Sequence, residues 1–513
     1  MKQFKKYFTL LFASAMLLTS CDKDFEETNT NPVTPTALDA QIVMNNAILL
    51  SVYPDNFQTL GMLTYNFPIV QQVLTPFGSS LSGGNYNIKN TANTNLVWVN
   101  FYQNVLKQTA DVIDKTKSNA NRSNLYHMAR IWKAHTFMII TDTYGDVPYF
   151  EAGQGFLSDV TYPKYDKQEA IYKDILKELD EASAALDAAK PTGAGDILYG
   201  GNIARWKRFG YSLLLRAAMR LSKADQATAK TYVTKAVAGG LMTSNLENAK
   251  ISHTSLYNNW IAVHLTAREK ANFYIAKPFL DFLKTKNDPR LAVISYRAVG
   301  ATSGAEQVPA RTTSDPAKQV GMPMGYDDVS IKNRFAIDGV VSLYDYSQVN
   351  LNTILSVTAP EYFVTYSETL LLLAEAVVRT WATGDAAALF KSAIEANMLQ
   401  FADYGPAAVI SLADINTYTA ANPLVPATAL EQINTQYCVS SFMNGSETWA
   451  NFRRSGFPAL TKNPYPSAEV TGDFIRRMTY PDRETIVNKA NLDAAIAAQG
   501  PNDLNTRVWW DKP

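Results

Sequence analysis

Residues 170–186 read AIYKDILKELDEASAAL, a segment whose apolar residues follow the period of an α-helix. They recur at intervals of three and four, at Ile171, Ile175, Leu179, Ala182 and Leu186. This spacing places one apolar stripe along an amphipathic helix, which must pack against a neighbouring element. Residues 187–195, DAAKPTGAG, contain the proline and glycines that end such a helix. The segment therefore predicts a helix, a turn and a further packed element.

Comparable patterns recur along the chain and come in pairs that short turns connect. The predicted helices cover residues 97–117, 125–141, 202–222, 361–380, 386–401, 428–443 and 447–453, with a short one at 492–498. Pairs near 97–141, 166–222, 361–401 and 428–453 indicate an all-α body of tetratricopeptide-like helix pairs. Their spacing is looser than the period of about 34 residues typical of that repeat, so an irregular helical bundle is the alternative.

The composition excludes several classes of protein. The 513 residues contain 47 Lys+Arg and 47 Asp+Glu, which excludes a strongly basic nucleic-acid-binding surface as the main feature. An apolar content of 47% supports a large folded core, built as two to four domains or as one repeat-built body. Two cysteines, Cys21 and Cys438, exclude a disulfide framework and any zinc site that needs several thiolates.

The N-terminus is typical of a bacterial lipoprotein signal. Residues 1–21, MKQFKKYFTLLFASAMLLTSC, combine lysines with an apolar run too short to span a bilayer. We interpret residues 1–20 as the signal peptide and Cys21 as the acylated mature N-terminus, with palmitate among the acyl chains. A plain secretory signal is the alternative. Residues 21–36 are predicted to be a polar tether, and residues 37–513 the body. The acids of that tether are Asp22, Asp24, Glu26 and Glu27.

Motifs for catalysis and cofactor binding do not occur in the sequence. It contains no GxxxxGK[ST], no GxGxxG that opens a helix, no HExxH and no GxSxG. The four histidines are scattered, and we expect structural roles for them rather than metal ligation. A pair of glycosidase carboxylates cannot be recognised from spacing, so hydrolysis is disfavoured but stays open.

Several separated motifs resemble the SusD/RagB family, the surface nutrient-binding lipoproteins of Bacteroidetes. The resemblance begins at the N-terminal cysteine with the acids that follow it, and continues at 29–32 (NTNP). It extends through 141–149 (TDTYGDVPY), 163–166 (PKYD), 206–220, 367–376, 449–456 (WANFRRSG), 476–481 and 507–511 (RVWWD). The order spans nearly the whole chain. Residues 74–95 and 244–338 depart from the family pattern, and we interpret them as insertions that build a ligand face.

The resemblance implies a fold, a function and a location. It implies an all-α scaffold of tetratricopeptide-like pairs with loop-rich insertions, without catalysis or a cofactor. It also implies a lipid-anchored protein at the surface of the outer membrane. There it would cover a SusC-like TonB-dependent barrel, capture an oligosaccharide or a peptide, and release it for import. A surface glycoside hydrolase and an envelope scaffold that binds only proteins are the alternatives.

Four aromatic residues in the two insertions are the candidates for ligand contact. They are Tyr86 in SGGNYNIKN, Tyr257 and Trp260 in SLYNNW, and Tyr326 in a proline-rich loop. Each combines a stacking surface with nearby hydrogen-bonding groups, as a sugar or a peptide requires. The alternative is that each ring packs under its own loop. Trp260 is the first choice, because its large flat ring lies in an asparagine-rich context.

Overall fold

Helix dominates the computed structural model, which describes residues 38–52, 56–192 and 195–513. The predicted signal peptide, Cys21 and the tether lie outside these ranges. The longer helices are α1 (Ala40–Leu50), α2 (Lys107–Thr116), α3 (Ser123–Tyr144), α4 (Gln168–Ala185), α5 (Ile203–Arg220), α6 (Gln226–Gly239), α7 (Lys277–Thr285), α8 (Tyr366–Val378), α9 (Ala386–Gln400), α10 (Leu412–Ala421), α11 (Ala429–Ser440), α12 (Gly445–Ser455) and α13 (Lys489–Gln499).

Helices that follow one another along the chain pack against each other in pairs, which confirms the all-α scaffold. The segment that predicted a helix at 170–186 forms α4, which packs between α3 and α5. The Asn202 side chain caps α5 by accepting a hydrogen bond from the Arg205 N–H at 3.1 Å. Helix α8 packs on both α9 and α11. The apolar residues of these helices share one large core.

Strands are short and lie between the helical blocks. They are β1 (Val73–Leu74), β2 (Ala249–Ile251), β3 (Tyr274–Ile275), β4 (Ser295–Ala298), β5 (Thr312–Thr313), β6 (Gln348–Val349) and β7 (Glu361–Val364). All pairings are antiparallel: β1 with β3, β2 with β7, and β4 with both β5 and β6. Under the β4 hairpin, a second small core is formed by residues such as Met322, Ile331 and Tyr346.

The structure corrects the predicted helix at 361–380. Its first residues form strand β7, and the helix begins only at Tyr366. Pairing with β2 holds this segment in an extended conformation, and the Thr365 side chain then caps α8 through the Glu368 N–H at 3.1 Å. Helix α7 is a second difference, because it lies inside the segment interpreted as an insertion.

The turn at Gly145, which ends α3, packs against the C-terminal helix α13. Gly145 has φ +84° and ends α3. A Cβ atom there would lie 2.0 Å from the Gln499 Oε1 atom, so this position requires glycine for space as well as for conformation. The Gln499 amide in turn donates to the Tyr144 carbonyl at 3.1 Å. Helix α13 is thereby fixed against the end of α3.

Buried ion pairs connect the helices of the scaffold. Arg216 on α5 binds Glu368 on α8, with its Nε at 2.5 Å from Oε1 and its Nη2 at 2.6 Å from Oε2. Arg220 lies 2.6 Å from Glu447 and 3.1 Å from Asp142. All five side chains are almost fully buried. All of them except Glu447 belong to the motifs that carry the family resemblance, and here they join helices to each other.

A second buried ion pair joins α8 to α12. The Arg454 guanidinium donates to both oxygens of Glu375 at 2.7 Å, and its Nη2 also donates to Asn434 at 2.8 Å. Arg379 donates to the same carboxylate at 2.8 Å. Burial opposes ionisation of Glu375, but the two arginines outweigh it and lower its pKa to about 2.

The C-terminal residues insert into this charged interior. The Trp510 side chain is fully buried, and its Nε1–H donates to Asp142 Oδ1 at 2.8 Å. Its ring lies near two guanidinium groups, 4.9 Å from that of Arg453 and 5.6 Å from that of Arg220. The RVWWD motif therefore packs the C-terminal residues of the described chain against the core.

Candidate functional site

Three loops meet to form a surface that we call the loop face, defined by residues 74–95, 320–346 and 457–475. The Asn463 side chain donates to the Asn85 carbonyl at 2.7 Å, and the Lys89 N–H donates to Glu469 at 2.8 Å. At the same place, a Cβ atom on Gly325 would come within 2.6 Å of Pro464. The chain therefore brings these distant segments into direct contact.

Tyr86 lies beneath this surface rather than on it. Its side chain is only 3% exposed, and its hydroxyl donates to the Pro76 carbonyl. Its ring centroid lies 4.7 Å from that of Tyr465, which is partly exposed. Burial raises the pKa of the Tyr86 hydroxyl, and the nearby Asp327 adds to this shift. The prediction that Tyr86 offers an open stacking face is therefore corrected: its ring supports Tyr465.

Tyr326 is partly exposed and packs on the small core of the loop face. The Arg334 guanidinium carbon lies 5.9 Å from its ring centroid, and that arginine pairs with Asp338 at 2.8 Å. Gly325, the preceding residue, contacts Tyr465. The structure thus places Tyr86 and Tyr326 at the same loop face, and Tyr326 and Tyr465 are the rings that reach the surface there.

Trp260 is the first residue of a short helix, Trp260–Val263. The preceding Asn259 caps that helix by accepting from the Ala262 N–H at 3.0 Å, and its own N–H donates to the Val357 carbonyl at 2.8 Å. The indole is partly exposed, with the Arg268 guanidinium carbon 5.6 Å from the ring centroid. The loop is therefore fixed in place while one ring remains accessible.

Tyr257 is tied to the scaffold next to this helix. Its hydroxyl donates to the Leu49 carbonyl at 2.6 Å, and its ring stacks on His253 with centroids 5.1 Å apart. His253 lies 3.6 Å from Glu361, whose pKa is raised by burial. Because the hydroxyl of Tyr257 is already bonded, this residue supports the loop that carries Trp260.

The candidate aromatic residues thus form two groups. Tyr86 and Tyr326 lie at the loop face, whereas Tyr257 and Trp260 lie beside the end of α1. Within the part of the chain that the structure describes, no ring contact joins the two groups. Sequence reasoning missed Tyr465. Its signal was the stretch 463–466, NPYP, where two prolines hold an aromatic residue in a loop.

The chemistry available at these surfaces is that of binding. Partly exposed rings lie beside arginine side chains, with amide and carboxylate groups nearby. Across residues 38–52, 56–192 and 195–513, no group of three or more metal-ligating side chains comes together. Over the same ranges, no helix is both long enough and apolar enough to cross a bilayer.

Comparisons with known proteins by family model and by solved structure lead to the same family. A family model described as SusD-like, "starch-binding associating with outer membrane", matches residues 32–481. A solved structure named as a chitin-binding protein is 30% identical, with 93% of this chain and 100% of that chain covered and a TM-score of 0.82. A SusD-like protein from Bacteroidetes AC2a is 25% identical, with 93% and 100% covered and a TM-score of 0.80.

A chitin-binding SusD homolog from Flavobacterium johnsoniae shares the fold at 24% identity. Its TM-score is 0.74, with 92% of this chain and 98% of that chain covered. No curated protein matches the sequence. The match thus extends over the helical scaffold and over the loop face.

Proposed function

This chain belongs to the SusD-like family, and from that premise we propose that it is a non-catalytic binding protein that captures an oligosaccharide at the cell surface. The observation that carries the proposal is the match over residues 32–481, which includes the loop face. The 30% identity to a chitin-binding protein supports an oligosaccharide as the ligand and favours N-acetylglucosamine oligomers as the first to be tested.

The physical chemistry of the two surfaces fits a sugar ligand. Sugars present apolar C–H faces that pack on aromatic rings, and hydroxyl groups that need hydrogen-bonding partners. Tyr326 and Tyr465 at the loop face, and Trp260 beside α1, each offer a partly exposed ring with a polar neighbour. A shallow platform of this kind gives modest affinity, which suits capture followed by release.

A binding screen tests this function. The chain from residue 21 with Cys21→Ser is titrated with chitin, starch and other oligosaccharides and with peptides, and the heat of binding is measured. We expect saturable binding of at least one oligosaccharide, and the same oligosaccharide should be recovered intact. Binding of peptides alone would contradict the proposal, and release of shorter products would indicate a glycoside hydrolase instead.

Trp260→Ala should weaken oligosaccharide binding by about 1–3 kcal/mol, by analogy with base–aromatic stacking. The reason is that the variant removes an exposed platform while the Asn259 cap and the core remain. Calorimetric titration measures the affinity, and the melting temperature should change little. Tyr257→Phe is the matched control, because it removes only the hydroxyl bond to Leu49. Unchanged affinity in Trp260→Ala, with loss in Tyr465→Ala, would confine the ligand to the loop face.

Lipid anchoring through Cys21 is part of the same proposal. Cys21→Ala should release the protein from membranes, because the variant has no thiol to carry the acyl chains that hold it there. Fractionation of cells after a salt wash, followed by immunoblotting, measures this release. Persistence of the variant in the membrane fraction would exclude Cys21 as the anchor.

We also propose that the captured nutrient passes to a SusC-like TonB-dependent barrel. Such a partner supplies the route across the outer membrane that a surface-anchored binding protein lacks. Affinity purification after extraction in mild detergent should recover a large β-barrel protein together with this chain. Recovery of the chain alone in several mild detergents would contradict a stable complex.

A further inference from the structure

A groove separate from both aromatic surfaces runs along α2. Its volume is about 220 Å³, larger than the cavity of about 150 Å³ that accommodates benzene in an engineered protein. Its walls are mostly apolar. Gly153 closes one side, where a Cβ atom added to this glycine would lie 3.0 Å from the Cβ atom of Ala110. The residues that form the apolar walls are Leu106, Ala110, Ile113, Phe137, Ala152 and Leu157.

One cationic group in this groove has no carboxylate partner among the described residues. The Lys133 ammonium lies over two rings, 5.1 Å from the centroid of Tyr149 and 5.8 Å from that of Phe137. The two carboxylates that act on Lys133 have other partners. Glu178 binds Arg130 at 2.8 Å, and Asp174 accepts a hydrogen bond from the Tyr149 hydroxyl at 2.8 Å. Burial lowers the pKa of Lys133, and the attraction of Glu178 and Asp174 opposes this shift only in part.

The other charges of the groove cancel each other. Asp114 and Lys117 form an ion pair at 2.6 Å on the rim. The residues that line the groove therefore carry a net charge of one positive unit, from Lys133, within apolar walls. The carboxylates of Glu178 and Asp174 act on Lys133 from outside this lining. It is complementary to a ligand that combines an apolar group with a neighbouring carboxylate.

The tether of this chain has that chemistry. Residues 24–27 read Asp-Phe-Glu-Glu, an aromatic residue between acids. The described chain begins near the C-terminal end of α2, because Asp39 pairs with Arg122, which lies five residues after Lys117 on the rim of the groove. The fourteen residues from Phe25 to Leu38 reach roughly 40 Å when extended, against about 15 Å for the length of α2. The segment is therefore long enough to reach the whole groove.

We propose that the acidic tether docks on its own body, with Phe25 in the groove beside α2 and an adjacent carboxylate on Lys133. Docking restricts the orientation of the body relative to the lipid anchor, because it removes about three quarters of the free length between Cys21 and Leu38. The inference does not depend on the identity of the nutrient. It assigns a structural role to a segment that otherwise serves only as a spacer.

Cysteine cross-linking tests the proposal in the chain from residue 21 with Cys21→Ser. Thr28→Cys combined with Leu157→Cys, which leaves Phe25 and its neighbouring acids in place, should form a disulfide on mild oxidation, detected by mass spectrometry, while buried Cys438 stays unmodified. The control pairs Thr28→Cys with Leu412→Cys, which lies on α10 and is more exposed than Leu157, at 66% against 42%. We expect the groove pair to react at least about tenfold faster, the value of one charge-assisted hydrogen bond.

A second variant separates docking from chance encounter. Lys133→Met in the cross-linking chain should reduce the rate for the groove pair about tenfold and leave the control pair unchanged. High salt should have the same effect. Equal rates for the two pairs, or a groove-pair rate that is insensitive to Lys133→Met, would overturn the proposal. Binding of an added fatty acid in the groove without any cross-link would also overturn it, by identifying an external ligand.

Discussion

Arg454→Met should lower the free energy of unfolding by about 3–5 kcal/mol, the cost of breaking a buried ion pair by removing one partner. The side chain of Arg454 is 1% exposed and that of Glu375 is fully buried. The variant leaves the Glu375 carboxylate in the interior with only Arg379 to compensate it. Unfolding in denaturant, followed by circular dichroism, measures the change.

An exposed pair provides the control for this prediction. Lys489 and Asp493 are one helical turn apart on α13, and both are more than half exposed. Lys489→Met should therefore cost less than about 0.5 kcal/mol. A comparable loss in both variants would show that buried and exposed pairs contribute alike, which contradicts the argument from burial.

The same ion pair should make the protein sensitive to acid. The pKa of Glu375 is about 2 in the folded chain and 4.5 for an ordinary glutamate. A depressed folded pKa contributes stability that is fully present above the unfolded value and is lost as the pH falls through the folded one. Stability should therefore decline between about pH 5 and pH 2, and Glu375→Gln should flatten this decline.

Trp510→Ala should also destabilise the protein by about 3–5 kcal/mol, because it empties the space of a fully buried indole. The loss includes the hydrogen bond to Asp142, a carboxyl whose pKa is already raised by burial. The melting temperature and the denaturant midpoint measure the effect. Because the residue is the fourth from the C-terminus, the result tests whether the end of the chain is part of the core.

Two variants distinguish ring volume from hydrogen bonding. Trp510→Phe keeps an aromatic ring but leaves Asp142 without one donor, which should cost about 1–3 kcal/mol. Trp509→Ala, at the half-buried neighbouring position, should cost clearly less than Trp510→Ala. Equal losses at the two tryptophans would mean that the tail contributes only general contacts.

The helical scaffold was predictable because its signal is local. In α4 the apolar residues repeat with the helix period and the turn residues follow directly, so the sequence alone located it to within two residues. Strand β7 was missed because residues 361–364 run into α8 without a proline or glycine. A short apolar run of this kind is compatible with the period of a helix and with that of a strand, and only its pairing with β2 selects the extended form.

The candidate site was predictable only in its type of residue. The sequence named aromatic residues in loops, and two of them, Tyr326 and Trp260, reach the surface, whereas their contact with a ligand stays a prediction. It could not show that Tyr86 is covered by Tyr465, because those residues are 379 positions apart and meet only in the folded chain. Exposure is set by such distant contacts, and no local pattern encodes it.

The insertion of Trp510 beside Asp142 has a consequence for how the chain matures. The two residues are separated by 368 positions, so this part of the interior cannot close until Trp510 has been synthesised and has reached Asp142. Contacts of such long range form late and slowly during folding. A product that stops short of the tail would leave the buried charges of α3 and α5 open to water. A chain that lacks Trp510 should therefore be cleaved by an added protease more readily than a chain that contains it.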